Sequence, residues 1–264
     1  MADQNNIDET IEVKEGVIGY FDILGFKNYI KNDPDVGSKN ALEVILKVRT
    51  EVPKKTKQTF LSNEIFDDVT WTVLSDTIVL SVPYPPKKAG EDLEQENNEK
   101  AIRWAALLFS SIVLMDYMFD QGLPIRGAIS NGKYFANSNS LAGKSIVEAL
   151  TLAERLNLSA VAICPEAEKE LTGILDLKTL VKEIWHKQPA YFSYLTPLKD
   201  KMDKLCILNQ WALHDKYTNS DIPQLVAQAF WKHGKDIDMA AFQKYQNTEM
   251  LLRYLVAMKR EWKN

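Results

Sequence analysis

The sequence predicts an α+β fold, with helices packed on an antiparallel-rich sheet. Of the 264 residues, 45% are hydrophobic and 26% are charged, a composition that can bury a sizeable core. Strand-like and helix-like patterns follow the order β-α-β-β-α-β-α-β with a hairpin in the middle, which is typical of a ferredoxin-like sandwich. Beyond about residue 172 the pattern changes. We therefore expect a core domain over residues 1–172 and an extension over residues 173–264 that completes the sheet.

The first strand and the first helix are predicted from apolar patterns near the start of the chain. Residues 17–22 form a short apolar run, which indicates a buried strand that ends in a carboxylate. Apolar residues then recur at helical spacing over residues 41–48. Ser38 precedes this pattern and is expected to cap the helix.

A hairpin is predicted in the middle of the core. Apolar and polar residues alternate over residues 69–74, and residues 77–82 form a second β-rich run. Because only Ser75 and Asp76 lie between the two runs, a tight turn with a carboxylate at its tip is predicted. The acidic, proline-containing stretch of residues 84–98 that follows is interpreted as a solvated loop.

The remaining core elements alternate in the same way. The pattern predicts a long helix over residues 99–119, a stop at residues 122–124, a strand over 125–129, a helix over 145–156, a strand over 160–164 and a short helix that begins at Pro165. The extension is predicted to be mixed and mainly helical, with strands over 191–195 and 205–211 and helices over 224–233 and 240–262. The last helix carries an apolar stripe that we expect to support the core or a dimer: Met250, Leu251, Tyr254, Leu255 and Met258.

Composition excludes several classes of function. The chain has 32 Lys and Arg against 36 Asp and Glu, a net charge of −4, so no basic excess favours a nucleic acid or an anionic membrane as a partner. The two cysteines, Cys164 and Cys206, lie far apart, which excludes a disulfide framework and a cysteine-rich zinc site. Residues 1–10 are polar and acidic, unlike a signal peptide, and residues 105–118 are too short and too polar to span a bilayer. We expect a cytoplasmic protein.

Two aspartates are the strongest candidates for chemistry. Asp22 ends the first strand, and Asp76 lies at the tip of the hairpin. If the hairpin lies beside the first strand, both carboxylates converge at one edge of the sheet. Two carboxylates at short range repel each other unless a cation lies between them, and Mg²⁺ or Mn²⁺ with oxygen ligands meets that need. Gly25 allows the backbone after Asp22 to turn closely around a ligand.

Four blocks of the sequence resemble the motifs of class III nucleotide cyclases. They are Gly-Tyr-Phe-Asp-Ile-Leu-Gly-Phe at residues 19–26, Leu-Ser-Asp-Thr at 74–77, Arg-Gly-Ala-Ile-Ser-Asn-Gly at 126–132 and Gly-Lys-Ser-Ile-Val-Glu-Ala at 143–149. The blocks occur in the order of the family and cover about residues 16–165. The motifs Asp-Ile-Leu-Gly-Phe, Ser-Asp-Thr and Gly-x-x-x-Val-Glu-Ala are most similar to those of the pyrimidine cyclases of bacterial Pycsar antiphage systems.

The resemblance implies a class III cyclase core and a metal-dependent reaction. A nucleoside triphosphate would close to its 3′,5′-cyclic monophosphate and release pyrophosphate. Asp22 and Asp76 would hold two Mg²⁺ or Mn²⁺ ions per site, with the Ile23 carbonyl as a further ligand. The family also implies phosphate binding by three backbone amides, those of Leu24, Gly25 and Phe26. The cations Arg126, Lys27 and Lys144 are candidate partners of the triphosphate.

Departures from the family pattern bear on the base and on the transition state. The positions that read adenine in adenylyl cyclases hold Thr72 and Ser140, which can donate or accept hydrogen bonds. They suit uracil or cytosine without distinguishing the two. With the resemblance to pyrimidine cyclases, UTP is the favoured substrate and CTP stays open. In the positions of the usual transition-state Asn and Arg stand Val147 and Thr151. Arg155 lies one helical turn beyond Thr151 and is the expected replacement.

The resemblance also implies partners and leaves alternatives open. In class III cyclases the metal site of one subunit faces the base-reading groups of another, so a homodimer with sites at the subunit interface is expected. A separate effector protein would bind the cyclic nucleotide. Two other functions remain open: a degenerate cyclase-fold nucleotide sensor, which the missing Asn and Arg favour, and a purine nucleotide cyclase with an unusual base pocket.

Overall fold

The computed structural model describes residues 11–32, 34–60, 64–87, 90, 92–137, 140–174, 189–210, 218–233 and 238–262. In chain order, the core contains β1 (Glu12–Ile23), α1 (Phe26–Asn32), α2 (Pro34–Phe60), α3 (Glu64–Asp67), β2 (Thr70–Leu74), β3 (Thr77–Pro83), α4 (Leu93–Asp120), β4 (Ile125–Ala136), β5 (Leu141–Ala142), α5 (Lys144–Arg155), β6 (Val161–Ile163) and α6 (Pro165–Gly173). The extension contributes β7 (Tyr191–Pro197), β8 (Met202–Leu208), α7 (Ile222–Trp231) and α8 (Met239–Trp262).

Among the described residues, eight strands form one sheet. Seven of them follow the order β2-β3-β1-β4-β6-β8-β7, and β5 pairs with β4 outside that path. β1 is the central strand of the core, antiparallel to both β3 and β4, and β4 is parallel to β6. The chain order β1-α-β2-β3-α4-β4 together with this pairing is the split β-α-β arrangement of a ferredoxin-like fold. The predicted α+β fold class is therefore confirmed.

The two faces of the sheet differ in what covers them. α4 packs against β1 and β3, and α2 packs on α4 and β2, so that face is buried under the main core with Phe21, Ile78 and Trp104 fully enclosed. α5 covers β1 and β4 from the opposite face, where Ile146 contacts a smaller cluster that includes Ile18. Within the described chain, α4 is the helix long and apolar enough to span a membrane, and 78% of its most apolar window is buried inside the protein. Such burial is typical of a core helix.

Two helix starts differ from the sequence prediction. Ser38 does not cap the first long helix, because α2 already begins at Pro34 and Ser38 lies within it, partly buried. Proline suits the first turn of a helix, where its missing N–H costs nothing. The predicted loop over residues 84–98 is also too long, since α4 begins at Leu93. Asp92 caps α4 by accepting a hydrogen bond from the Gln95 N–H at 2.9 Å.

The extension adds a strand pair and two helices to the core. β8 pairs with β6, so the β7–β8 hairpin continues the core sheet. The predicted helical part is present as α7 and α8, and Trp211 at the end of the predicted strand lies outside the described residues. The apolar stripe of α8 is divided: Leu251 and Leu255 are buried, whereas Met250 is 63% exposed and Tyr254 36% exposed. The domain boundary near residue 172 remains a prediction.

Candidate functional site

The end of β1 brings the hairpin and β4 to one point. Asp22 is the register partner of Thr77 in β3 and of Arg126 in β4, so these three residues share one row on the same face of the sheet. The Ile23 N–H donates to the Asp76 carbonyl at 3.1 Å, which fixes the hairpin turn beside the end of β1. Asp22 and Asp76 are therefore carried to the same edge of the sheet.

The hairpin turn is as tight as the sequence predicts. Ser75 and Asp76 are the two residues between β2 and β3, and Ser75 has a φ of 54°. A positive φ in a two-residue loop matches the right-handed twist of the strands that it connects. Asp76 is partly exposed at the tip.

An ion pair with Arg126 occupies one oxygen of the Asp22 carboxylate. The Arg126 Nη2 and Nε atoms lie 2.9 Å and 3.1 Å from Oδ2 of Asp22. The Nη1 atom donates to the carbonyls of Glu154 at 2.8 Å and Leu156 at 3.2 Å, at the end of α5. The guanidinium therefore links β1, β4 and the end of α5, while no described residue donates a hydrogen bond to Oδ1 of Asp22.

Charge and burial at the site act in opposite directions on Asp22. Partial burial raises the pKa of the Asp22 carboxyl above its usual value, and the negative charges of Asp76 and Glu154 add to this rise. The adjacent Arg126 lowers the same pKa without cancelling the rise. Burial is the largest of these effects, so the surroundings of Asp22 as a whole disfavour its ionised form.

The segment after Asp22 is arranged for a turn, and one of its three predicted phosphate-binding amides is already bonded. Gly25 has a φ of +74°, a conformation that favours glycine, and a Cβ placed on it would have no atom within 4 Å. The Leu24 N–H donates to the Pro124 carbonyl at 2.9 Å, so this amide does not point towards a ligand. The expectation for Leu24 therefore needs correction, whereas no described group accepts a bond from the Gly25 or Phe26 amide.

The two predicted base-reading residues lie at different ends of the sheet. Thr72 pairs with Val79, which pairs with Tyr20, so Thr72 lies on the Asp22 face in the adjacent row. Ser140 is exposed in a turn after β4, next to Leu141, which pairs with Ala136. From Arg126 to Ala136 the strand extends for about 33 Å, at about 3.3 Å per residue. One chain does not bring Ser140 to Asp22.

Among the described residues, none of the remaining predicted cations forms an ion pair with Asp22 or Asp76. Arg155 forms an ion pair with Asp200, with its Nη2 3.2 Å from Oδ2. Lys144 is exposed and pairs with Glu148 along α5, and Lys27 is exposed on α1. The expected transition-state role of Arg155 therefore requires this side chain to leave Asp200, because its charge is already paired.

The structure adds two charged residues that the motifs did not indicate. Glu154 lies close enough to Asp22 to raise the pKa of its carboxyl, and its carbonyl holds Arg126. Lys244, on α8 of the extension, interacts electrostatically with both Arg126 and Asp22. Helical periodicity could not have found Lys244, since it reports which face of α8 is buried and not what that face contacts.

The oxygen atoms at the end of β1 suit a divalent cation that is held jointly by protein oxygens and by phosphate oxygens of a substrate. Among the described residues, no group of three or more His, Cys, Asp or Glu side chains could hold a metal ion. Mg²⁺ is commonly held by one or two carboxylates together with phosphate oxygens of a substrate. Asp22 and Asp76 supply two such carboxylates. Because the N–H and C=O of a strand residue point to the same side, the Ile23 carbonyl also faces the hairpin.

Comparisons with solved structures return a guanylyl cyclase and an adenylyl cyclase-like ATP-binding protein. The guanylyl cyclase Cya2 is 11% identical over 76% of this chain and 92% of its own, with a TM-score of 0.38. A class III adenylyl cyclase-like ATP-binding protein from Pseudomonas aeruginosa is 16% identical over 64% of this chain and 37% of its own, with a TM-score of 0.40. Both TM-scores are too low to establish a shared fold. The fold of this chain is assigned from the order and pairing of its own strands. No family model and no curated protein matches the chain.

Proposed function

We propose that the protein is a metal-dependent nucleotide cyclase, which converts a nucleoside triphosphate into its 3′,5′-cyclic monophosphate and pyrophosphate. The observation that carries this proposal is the convergence of Asp22 and Asp76 at the end of β1, within motifs that resemble those of class III cyclases. A fold does not need two carboxylates at this edge for stability, because their charges repel. Their convergence is explained by an ion that both bind.

The residues of the chain would act on the triphosphate by position and charge. Asp22, Asp76 and the Ile23 carbonyl would hold Mg²⁺ or Mn²⁺, which when bound acidifies the ribose 3′-hydroxyl and stabilises charge on the phosphoryl group. Arg126, which pairs with Oδ2 of Asp22, would lie beside the phosphates as a cation that can donate hydrogen bonds to their oxygens. The Gly25 and Phe26 amides would bind the same phosphates.

A pyrimidine base is the substrate class that we propose. Thr72 lies on the face that carries Asp22 and offers a hydroxyl in place of a charged reader. We propose UTP as the favoured substrate and CTP as the next, on the likeness of the motifs to those of pyrimidine cyclases; the Thr72 hydroxyl can donate to or accept from either base. The likeness of the motifs to those of Pycsar cyclases supports a second-messenger role in antiphage defence, with a separate effector and a homodimeric cyclase.

The test is incubation of the purified protein with each of the four ribonucleoside triphosphates and Mn²⁺, followed by chromatography of the products. Cyclic UMP or cyclic CMP supports the proposal. A cyclic purine product would replace the pyrimidine assignment but keep the cyclase. In cells that carry the whole operon, Asp22→Asn should abolish protection against phage if the defence role is correct, whereas unchanged protection would contradict it.

A nucleotide sensor without catalysis is the second candidate, and two ion pairs favour it. Arg126 is bonded to Asp22 and Arg155 to Asp200, so both arginines are neutralised within the described chain. A sensor would bind a triphosphate and form no cyclic product from any of the four substrates. Binding without turnover in the same assay would therefore select this function over the cyclase.

A further inference from the structure

α8 is fixed by hydrogen bonds to the loop between α5 and β6, and this loop is bonded in turn to the residue that precedes Arg126. The Ser159 N–H donates to Oγ1 of Thr248 at 2.8 Å, and the Ser159 hydroxyl donates to the Ile125 carbonyl at 2.7 Å. Ser159 and Thr248 are fully buried. Because Ile125 directly precedes Arg126, these bonds set the position of α8 relative to the Asp22–Arg126 pair. The extension therefore borders the candidate site.

Asn247 makes a second connection at the same place. Its Nδ2 atom donates to the Asn157 carbonyl at 2.8 Å, within the segment whose Leu156 carbonyl accepts from Arg126. Lys244 lies one helical turn before Thr248, so both are on the same face of α8. This face looks onto the end of α5 and the start of β4.

Lys244 is a half-buried cation close to the Asp22–Arg126 pair. Of the residues that the structure describes, none forms an ion pair with its ammonium group, although Asp22 and Asp238 act on it at longer range. Burial lowers the pKa of Lys244, and the positive charges of Arg126 and Lys199 lower it further. A cation placed among other cations is stabilised when an anion binds between them.

We propose that Lys244 binds the phosphate chain of the nucleoside triphosphate that Asp22 and Asp76 hold, which makes the extension part of the nucleotide site. This inference rests on the proposed function. Two dications that face two carboxylates leave less positive charge than a triphosphate carries as negative charge. Arg126 and Lys244 supply further cations on the α5–α8 side of these carboxylates.

The alternative role for Lys244 is to neutralise Asp22 in the folded chain. Arg126 already fills that role through two hydrogen bonds to Oδ2. A second cation that only compensated Asp22 would gain little, since it makes no ion pair with a described residue. A structural Lys244 would also act on stability and not on the discrimination between nucleotides with different numbers of phosphates.

The test compares Lys244→Met with Lys204→Met, which removes an exposed lysine from β8 of the same extension. Binding of 3′-deoxyuridine triphosphate and 3′-deoxyuridine monophosphate is measured by calorimetry with Mg²⁺, because these probes cannot cyclise. We expect Lys244→Met to weaken triphosphate binding about ten- to a hundredfold and monophosphate binding much less. Lys204→Met should bind both as the wild type does, and Lys244→Arg should restore most of the triphosphate affinity.

Each outcome separates this inference from the proposed function. Equal losses for the two probes, or no loss, would overturn the role of Lys244 even if the wild type makes a cyclic nucleotide. If Lys244→Met selectively loses triphosphate binding and the wild type forms no cyclic product, the phosphate-binding role of Lys244 is supported and the proposed cyclase activity is contradicted. If the wild type binds no nucleotide triphosphate of any base, both proposals fail. Melting temperatures of the variants exclude loss of folded protein as the cause.

Discussion

Asp22 carries a charge that the folded chain does not favour. Its pKa lies above the usual aspartate value, first because of burial and then because of Asp76 and Glu154, in spite of Arg126. A carboxyl whose pKa is raised on folding stabilises the fold only below its ordinary pKa. That contribution is lost as the pH rises through the folded value. At neutral pH the ionised Asp22 therefore opposes folding, as expected of a group that is kept to bind a cation.

Replacement of either carboxylate by its amide separates catalysis from stability. We expect Asp22→Asn and Asp76→Asn to lower the turnover at least about a thousandfold, because lost metal binding and lost charge stabilisation together cost several kcal/mol. The melting temperature of Asp22→Asn at neutral pH should equal or exceed that of the wild type. Turnover per folded molecule and calorimetric melting of the same preparations measure both effects.

The opposite pattern would identify two structural aspartates. A turn or cap aspartate contributes about 1 kcal/mol to stability, and its loss lowers activity only in proportion to the folded fraction. Variants that melt early and keep the turnover of the wild type per folded molecule would contradict the two-metal site.

At the scale of the element, the start of α4 depends on a small group of charges. Glu96 lies in the first turn of the helix and pairs with Lys87 at 2.7 Å and Lys100 at 2.9 Å. These bonds lower the pKa of Glu96 from 4.5 to about 2. A carboxyl with a lowered folded pKa stabilises the protein above its ordinary pKa, and this contribution is lost as the pH falls from about 4.5 towards 2.

Glu96→Gln should therefore lose a small part of the wild-type stability at neutral pH, and the difference should shrink in acid. Because the pair is solvent-accessible, salt should also reduce the difference. Urea unfolding at pH 7 and pH 3.5, with and without added salt, measures both trends. Lys87→Met and Lys100→Met should each remove part of the same difference. A difference that grows in acid would show that Glu96 acts in another way.

The buried side of α8 belongs to the core of the chain, so substitutions on that side should lower the free energy of unfolding. Leu252 is fully buried and Met250 is 63% exposed on the same helix. Leu252→Ala should cost about 2–5 kcal/mol of unfolding free energy, and Met250→Ala should change it by less than about 0.5 kcal/mol. Chemical unfolding measures these values. If Leu252→Ala instead dissociates subunits without loss of monomer stability, α8 is an interface helix.

At the scale of the whole molecule, the sequence predicts the sheet better than it predicts the site. Strong apolar periodicity marked β1, the β2–β3 hairpin and α4, and the two-residue turn placed Asp76. The order in which the strands beyond β4 lie in the sheet could not be predicted from the sequence, because pairing of β8 with β6 depends on long-range packing. The ion pairs of Arg126 and Arg155, and the approach of Lys244, join segments far apart in sequence. Local patterns carry no information about such contacts.

The distance between Ser140 and Asp22 determines how a complete nucleotide site can form. About 33 Å of β4 separates the position of Arg126, beside Asp22, from that of Ala136, beside Ser140. One nucleotide cannot contact both ends of the strand. If both residues act on one substrate, they come from different subunits, as a two-fold symmetric homodimer with two equivalent sites allows.

Mixed dimers of two inactive variants test this geometry. Asp22→Asn removes a proposed metal ligand, and Ser140→Asp places a negative charge that repels the carbonyl edge of uracil, so each variant alone should have little activity with UTP. In a mixed dimer, one of the two sites receives Asp22 from one chain and Ser140 from the other, and is intact. Random reassortment should then restore about a quarter of the wild-type activity per site, since half of the dimers are mixed. Asp22→Asn mixed with Lys244→Met should restore nothing beyond the activity of the Lys244→Met parent, because Asp22 and Lys244 lie together in one chain. Restoration in the second mixture but not in the first would contradict the arrangement of the site.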